Sequence, residues 1–249
     1  MTLIEKVSRS VQRFKYDALK FQKITQGKSV PEIEKLFWKS LFNNSPLYGA
    51  DVAGSLFDKN IPWNLQEIQT ILNKGLIGQN IPGVSNPYVY VGQWKSMFGW
   101  HKEDHDLYSI NYLHKGAPKF WYSVDLAHSH KFEQFLYEKL PESYNRCPEF
   151  VRHKTTLVNP KILRQNGFQM VKAIHNEGEF IVSRASAYHQ GFNLGYNIAE
   201  AVNFALDDWL KIGCNTKYCK CVPDSVNIDF DKFFKNLGLD PNQYCDSKK

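Results

Sequence analysis

Two short segments carry an imidazole and a carboxylate two residues apart, His101-Lys-Glu103 and His175-Asn-Glu177. In extended chain, residues i and i+2 point to the same face, so either pair can offer a nitrogen and an oxygen to one ion. A third ligand must come from elsewhere, and Tyr188-His189-Gln-Gly-Phe192 sits just past a strand-like run at 179–183. Two histidines and one carboxylate on one side of a metal leave positions open for a cosubstrate and O2, the arrangement of non-haem Fe(II) oxygenases. The pattern alone is weak. With 8 His and 25 acidic residues in 249, about one such pair arises by chance. Either pair reads equally well as a solvated loop.

The five cysteines are Cys147, Cys214, Cys219, Cys221 and Cys245. Cys147 with His153, five residues between them, and Cys219-Lys-Cys221 offer three thiolates and one imidazole. That set closes a tetrahedral zinc site with no open position, hence a structural one. An odd count in an intracellular chain favours metal ligation or free thiols over a disulfide framework. Cys214 and Cys245 are therefore expected as buried free thiols. Lys119 follows the Gly116-Ala-Pro118 turn on a strand expected to return beside Asn111. A lysine aimed into a barrel is costly unless it meets an anion.

The elements that must position these groups change character along the chain. Phe14, Ala18, Phe21 and Ile24 recur at helical spacing, and a second helix starts near Val30 with Pro31 in its first turn. Tyr48 to Gly54 reads as a short strand and turn, and Leu65, Ile68, Ile71 and Leu72 suggest a helix over 63–76. From about residue 85, runs at 88–91, 107–114, 120–124, 156–158 and 179–183 are short and rich in β-branched and aromatic residues. Helices are expected at 127–139 and 198–210. Many short strands with few helices between them suggest an antiparallel barrel or jelly roll.

A chain of 249 residues with 43% apolar and 14% aromatic content suits one well-filled domain, or a domain with a small attachment. The net charge of +6 is dispersed, which permits a nucleic-acid partner without indicating one. No run approaches the roughly 20 apolar residues of a membrane span. Glu5, Lys6, Arg9, Arg13, Lys15 and Asp17 leave no secretory core near the start. The expectation is an intracellular, soluble protein with no membrane partner.

Trp94 to Trp121, with His189 to Asn203, resembles the JmjC family of histone lysine demethylases. The family run H-x-E-D…Y-S-I-N-Y-L-H-x-G-x-P-K-x-W-Y stands here from His101 to Tyr122, and Y-H-x-G-F-N-x-G-[FY]-N-x-A-E from Tyr188 to Glu200. The likeness covers about residues 27–237. It implies a mostly β fold, a double-stranded β-helix of jelly-roll or cupin type, with helical additions at both ends. It implies a helical support over 1–84, a catalytic barrel over 85–210 and a zinc-binding, helical segment over 211–249. It also separates the two pairs, since His101, Glu103 and His189 fall on the family's Fe(II) ligands and His175 and Glu177 do not.

Further roles follow from the same resemblance. Tyr48, Asn111 and Lys119 would bind the distal carboxylate of 2-oxoglutarate, Phe98 and Trp121 would wall it, and Lys154 would lie on the O2 side. Tyr90, Glu103, Ala201, Val202 and Asn203 would receive a methylated lysine. In the subfamily acting on trimethyl-lysine, Cys147, His153, Cys219 and Cys221 match the ligands of a structural Zn(II). The implied activity is oxidative demethylation of a methylated histone tail, on histone H3 at lysine 9 or lysine 36, in the nucleus. Nucleosomal DNA is a conceivable second partner for the basic surface, and the sequence sets no oligomeric state.

The chain also departs from the family. Ala201-Val202 stands where some relatives have Ser-Thr, which bears on methylation-state preference. Ser183-Arg-Ala-Ser-Ala-Tyr-His189 stands where many read T-F-P-x-x-Y-H, so Arg184 could alter the pocket rim. His105 stands at a usually apolar or variable position, read here as lying beside the triad or exposed. A companion JmjN segment is not recognisable in residues 1–25. Two other classes of function stay in view, a JmjC protein hydroxylase and a silent chromatin-binding module.

Overall fold

The computed structural model describes residues 8–246 except 44, 59, 80, 82 and 222–224, so Glu5 and Lys6 lie outside it. Helix α1 (Val11–Gln22) starts on Ser10, whose hydroxyl accepts from the Arg13 amide at 3.3 Å, and it buries Phe14 and Ala18. Helix α2 (Val30–Lys39) opens with a Ser29/Glu32 capping box and Pro31 in its first turn. Its Phe37 stacks on Phe192 at 3.9 Å, which docks the helix onto the barrel.

Among the described residues nine strands build the frame: β1 (Gly49–Ala53), β2 (Tyr88–Gly92), β3 (Met97–His101), β4 (Tyr108–Gly116), β5 (Lys119–Val124), β6 (Met170–His175), β7 (Phe180–Ser183), β8 (His189–Asn193) and β9 (Asn197–Phe204). They form a five-stranded sheet in the order β1-β2-β9-β4-β7 and a four-stranded sheet in the order β3-β8-β5-β6. Every neighbouring pair is antiparallel. Two facing antiparallel sheets with helices outside make the expected jelly roll. Helices α3 (Ile71–Gly75), α4 (Ser129–Lys139), α5 (Pro141–Arg146), α6 (Pro160–Gln165), α7 (Trp209–Gly213) and α8 (Phe230–Leu237) complete it. Among the described residues no helix is long and apolar enough to cross a membrane.

One core joins α2, β5, β8, α4, Cys147 and Cys219. A second joins Leu72 and Leu76 to Leu107, Trp209, Phe233 and Phe234, so the last helix is packed against the start of the barrel. Cys214 and Cys245 are bonded to each other, with 5.6 Å between their Cα atoms, and are not the free thiols expected. Asn215 donates to the Tyr244 carbonyl at 3.0 Å and accepts from the Asp246 amide at 2.7 Å, which brings the two segments together.

Other expectations are corrected. The run 198–210 is mostly the strand β9, because placement between β2 and β4 gives its backbone ladder partners on both sides and overrides the helix preference of Ala and Glu. The helix expected over 63–76 is a short 3-10 turn and then α3. Trp63 has φ 70°, and Asn64 and Thr70 each cap a new turn with their side chains. Residues 156–158 form no strand, although the Trp100 amide donates to the Thr156 carbonyl at 2.6 Å. Asn111 and Lys119 lie on facing sheets, since β4 pairs with β7 and β9 while β5 pairs with β6 and β8.

Candidate metal and cosubstrate site

His101 ends β3, His189 begins β8, and the two are register partners. Their rings lie 4.2 Å apart, centroid to centroid. Glu103, in the loop just after β3, brings Oε1 within 3.8 Å of His101 Nε2 and 3.4 Å of His189 Nε2. Each histidine turns Nδ1 to the carbonyl two residues before it, Gly99 at 2.8 Å and Ala187 at 3.1 Å. A carbonyl can only accept, so Nδ1 carries the proton and the Nε2 lone pairs converge with the carboxylate.

The electrostatics agree with that donor set. Burial, then the neighbouring His189 and Lys154, hold the His101 imidazole well below its ordinary value. Burial pushes the Glu103 carboxyl upward, but its polar and charged neighbours, the Lys154 ammonium foremost, outweigh it and hold it well below the usual carboxylate range. A neutral imidazole at His101 beside an ionised Glu103 is the form a divalent ion needs. His175 and Glu177 take no part in this cluster.

Because side chains alternate along a strand, His189, Gly191 and Asn193 share one face, with about 13 Å of strand between the first and the last. Gly191 keeps the middle open, since a Cβ there would come within 2.5 Å of the Phe98 ring. Phe98 and Trp121 pack together at 4.8 Å and flank His189 at 6.3 and 5.8 Å. At the far end, Lys119 is 1% exposed and donates to Asn193 Oδ1 at 2.9 Å and the Tyr48 hydroxyl at 3.3 Å. With no carboxylate to meet there, burial pulls its ammonium down to about 7. Asn111 faces inward from the opposite sheet, and its buried Oδ1 has no partner among the described residues, as is true of the Trp121 indole nitrogen. The slot therefore presents a buried cation at the end away from the triad, which suits an elongated anion.

The remaining residues divide. Tyr90 lines the inner face and donates to Asp51 at 3.2 Å, with the Tyr48 ring 6.1 Å away. Ala201 pairs with Asn111 on the inner face, and Asn203 bonds the Tyr108 carbonyl at 3.1 Å. Val202 points to the other face, where it packs with Leu65 and Ile110, so it does not share a pocket with Ala201. Lys154 sits in the left-handed region, φ 58°. Desolvation lowers its ammonium, and the carboxylates of Glu103, Asp104 and Asp51 more than offset that and raise it. His105 is neither exposed nor at the metal donors. It is 1% exposed, its carbonyl accepts from Trp209 Nε1 at 2.8 Å, and burial brings its imidazole down to about 4.

A second cluster forms on the barrel's flank. Cys219 Sγ lies 3.7 Å from Cys147 Sγ, 3.2 Å from Cys221 Sγ and 3.2 Å from His153 Nε2, and Cys221 Sγ lies 3.3 Å from the same nitrogen. Donors at these separations can surround one ion tetrahedrally. Against its burial, bonds from the Cys221 amide, His153 and the other thiols bring Cys219 down to about 7, toward the thiolate a metal requires. Sequence reasoning missed Asn193, Arg152, Asp106 and Ser186. Asn193 was available as the last letter of the G-F-N run quoted above, whereas the other three carried no signal.

A jelly roll with two histidines and a carboxylate converging on one inner face defines the class, a double-stranded β-helix protein with a facial metal triad. Residues 88–204 match the family described as "JmjC domain, hydroxylase", so this part of the chain is a domain of that family. It is 43% identical over 216 residues to lysine-specific demethylase 4D of Rattus norvegicus, covering 86% of this chain and 42% of that protein. To lysine-specific demethylase 4B of Mus musculus it is 42% identical over 216 residues, covering 86% and 20%. To probable lysine-specific demethylase 4F of Homo sapiens it is 43% identical over 209 residues, covering 83% and 33%. The chain thus spans less than half the length of these relatives.

Proposed function

We propose that this chain is an Fe(II)- and 2-oxoglutarate-dependent demethylase of methylated lysine on a histone tail, acting in the nucleus. The observation that carries the reading is one face of β8, with a metal-type triad at one end and, at the other, a buried lysine bonded to neutral oxygens. His101, Glu103 and His189 would hold Fe(II), and the donor set of two imidazole nitrogens and a carboxylate suits that ion. Cys147, His153, Cys219 and Cys221 would hold Zn(II). When bound, Fe(II) with 2-oxoglutarate and O2 supplies the oxidant that hydroxylates an N-methyl group, which then leaves as formaldehyde.

The chain's own groups have separable tasks in this reading. Lys119, with Tyr48 and Asn111, binds the distal carboxylate and so orients the 2-oxo acid end toward the triad. Phe98 and Trp121 exclude water along the way, which strengthens each electrostatic contact inside. Tyr90 and Asn203, with the small Ala201 between the sheets, line the side where a methylated ammonium would enter. Such a cation is held by aromatic faces and oxygens rather than by conventional donors. Lys154, positively charged beside Glu103, faces the same space.

The test is to incubate the chain with Fe(II), 2-oxoglutarate and a panel of methylated histone H3 peptides, including lysine 9 and lysine 36, and to read the peptide mass. Stepwise loss of methyl groups with release of formaldehyde and succinate is the expected result. A stable gain of one oxygen atom would assign a hydroxylase instead. No mass change and no succinate would assign a silent binding module.

A further inference from the structure

The loop carrying Glu103 is held from behind by one buried cation. Arg152 has a side chain 3% exposed and spreads its guanidinium over three acceptors. Nη1 donates to the Glu103 carbonyl at 2.6 Å, Nη2 to Asp106 Oδ1 at 2.7 Å and Nε to Glu149 Oε2 at 2.9 Å. Two carboxylates offset the desolvation of the charge, so the arrangement is a paired one. Three directed bonds from a rigid fork fix the backbone of Glu103 in a way a single charge would not.

Asp106 extends the network to the other strand. Its second oxygen accepts from Ser186 Oγ at 2.9 Å and lies 3.2 Å from Lys102 Nζ, and its carbonyl accepts from the Ser186 amide at 3.2 Å. Ser186, at φ 63°, belongs to the turn just before His189, and the neighbouring Ala187 carbonyl orients that imidazole. The departing segment Ser183–Ala187 is thus tied down by a bond its serine makes.

Arg152 is also next in sequence to His153. The same short stretch reaches β3, where the Gly99 amide donates to the Lys154 carbonyl at 3.1 Å. Gly99 makes that approach possible, because a Cβ there would lie 2.6 Å from the Lys154 oxygen and 2.7 Å from the Thr156 oxygen. Residues 152–156 therefore touch Glu103 and the strand of His101 directly and reach the turn before His189 through Asp106, and His153 in the same stretch belongs to the thiol cluster.

We infer that Arg152 is a positioning residue that couples the two clusters, fixing Glu103 directly and the turn before His189 through Asp106 and Ser186. It follows that the metal affinity of the triad depends on the Cys147/His153/Cys219/Cys221 cluster being closed. This deepens the reading of the triad as a metal site and rests on it.

Mn(II) titration of the zinc-loaded full chain, followed by electron paramagnetic resonance, tests the coupling, because Mn(II) prefers oxygen and nitrogen donors to thiolates. R152M should keep its zinc content and weaken Mn(II) binding by about 10- to 100-fold, the scale found when the support of a ligand is removed. R152K should behave like R152M, since lysine restores the charge without the fork. S186A, which loses a single hydrogen bond, should weaken binding about fivefold. The bound Mn(II) spectrum should broaden in all three, a signature that lowered stability alone would not produce.

C221S opens the thiol cluster, and its effect on Mn(II) affinity should shrink in the R152M background. Equal effects in both backgrounds would overturn transmission through Arg152. Mn(II) affinities of R152M and S186A within about twofold of the parent, with zinc retained, would overturn the positioning role. Should R152M fail to fold, S186A decides. H189A separates the two failures. If it binds Mn(II) like the parent, the triad is not the metal site and the coupling falls with it.

Discussion

The two His-x-Glu segments share a spacing and end in opposite uses. His101 closes a strand whose register partner is His189, and Glu103 turns back over both rings. His175 closes the edge strand β6 and is fully buried, its Nε2 donating to the Glu179 carbonyl at 2.7 Å. Glu177 is carried outward by the β6–β7 turn and accepts from the Gly116 amide at 2.7 Å. Both members of the second pair are thereby spent on holding turns. Spacing decides which groups can meet an ion, and strand register decides which do.

That contrast can be broken most directly at its histidines. H101A should weaken Mn(II) binding by more than about 100-fold, since losing a ligand exceeds losing its support. H175A should leave Mn(II) affinity unchanged but cost about 2 kcal/mol in chemical denaturation, because it removes the partner of a buried carbonyl. Metal loss in both variants would erase the distinction.

A second measurement sharpens the chemistry on the first side. Burial holds the Lys119 ammonium at about 7, below its unfolded value, so the folded chain binds fewer protons than the unfolded one between those limits. The metal-free protein should therefore gain stability as pH rises through that window, and have least from this group below pH 7. A dicarboxylate needs the charged form. Its affinity for the Mn(II)-loaded protein should be flat below about pH 7 and fall about tenfold per unit above it. K119M should lose both dependences, and calorimetric titration across pH would detect either one persisting.

Smaller effects are expected at the supports. G99A forces the segment at 154–156 away from β3 and should weaken Mn(II) binding about tenfold. E177Q keeps an acceptor for the Gly116 amide on an exposed turn and should shift stability by less than about 1 kcal/mol, with no change in metal affinity. Thermal denaturation beside the same titration compares the two.

Much of the site was legible because the ligands lie in two runs that resemble a known family, whereas the spacing of His101 and Glu103 alone did not separate them from His175 and Glu177. The jelly roll was legible from short β-branched runs with turn residues between them. The strand β9 was not, because Ile-Ala-Glu-Ala-Val reads as helix until its neighbours supply a ladder. Nor was β8, a fully buried strand whose His, Gln, Gly and Asn carry no alternation. Arg152, Asp106 and Ser186 were invisible for another reason. Their bonds join residues 46 and 80 apart in the chain, 152 to 106 and 106 to 186, and no local pattern announces such a meeting. The Cys214–Cys245 bond is of the same kind, since a cysteine count cannot say which thiols the fold brings together.

β9 has a consequence for how this protein can change. Along it, Ala199, Ala201 and Asn203 look into the slot, while Glu200 and Val202 look into the outer layer with Leu65, Ile110 and His114. Two sets of demands are thus written on alternate letters of one short word. Mutations at odd positions can drift toward a new ligand while the even positions keep the outer layer intact. A lineage could explore recognition here without first surviving a loss of foldedness, and a designer could randomise the odd letters alone.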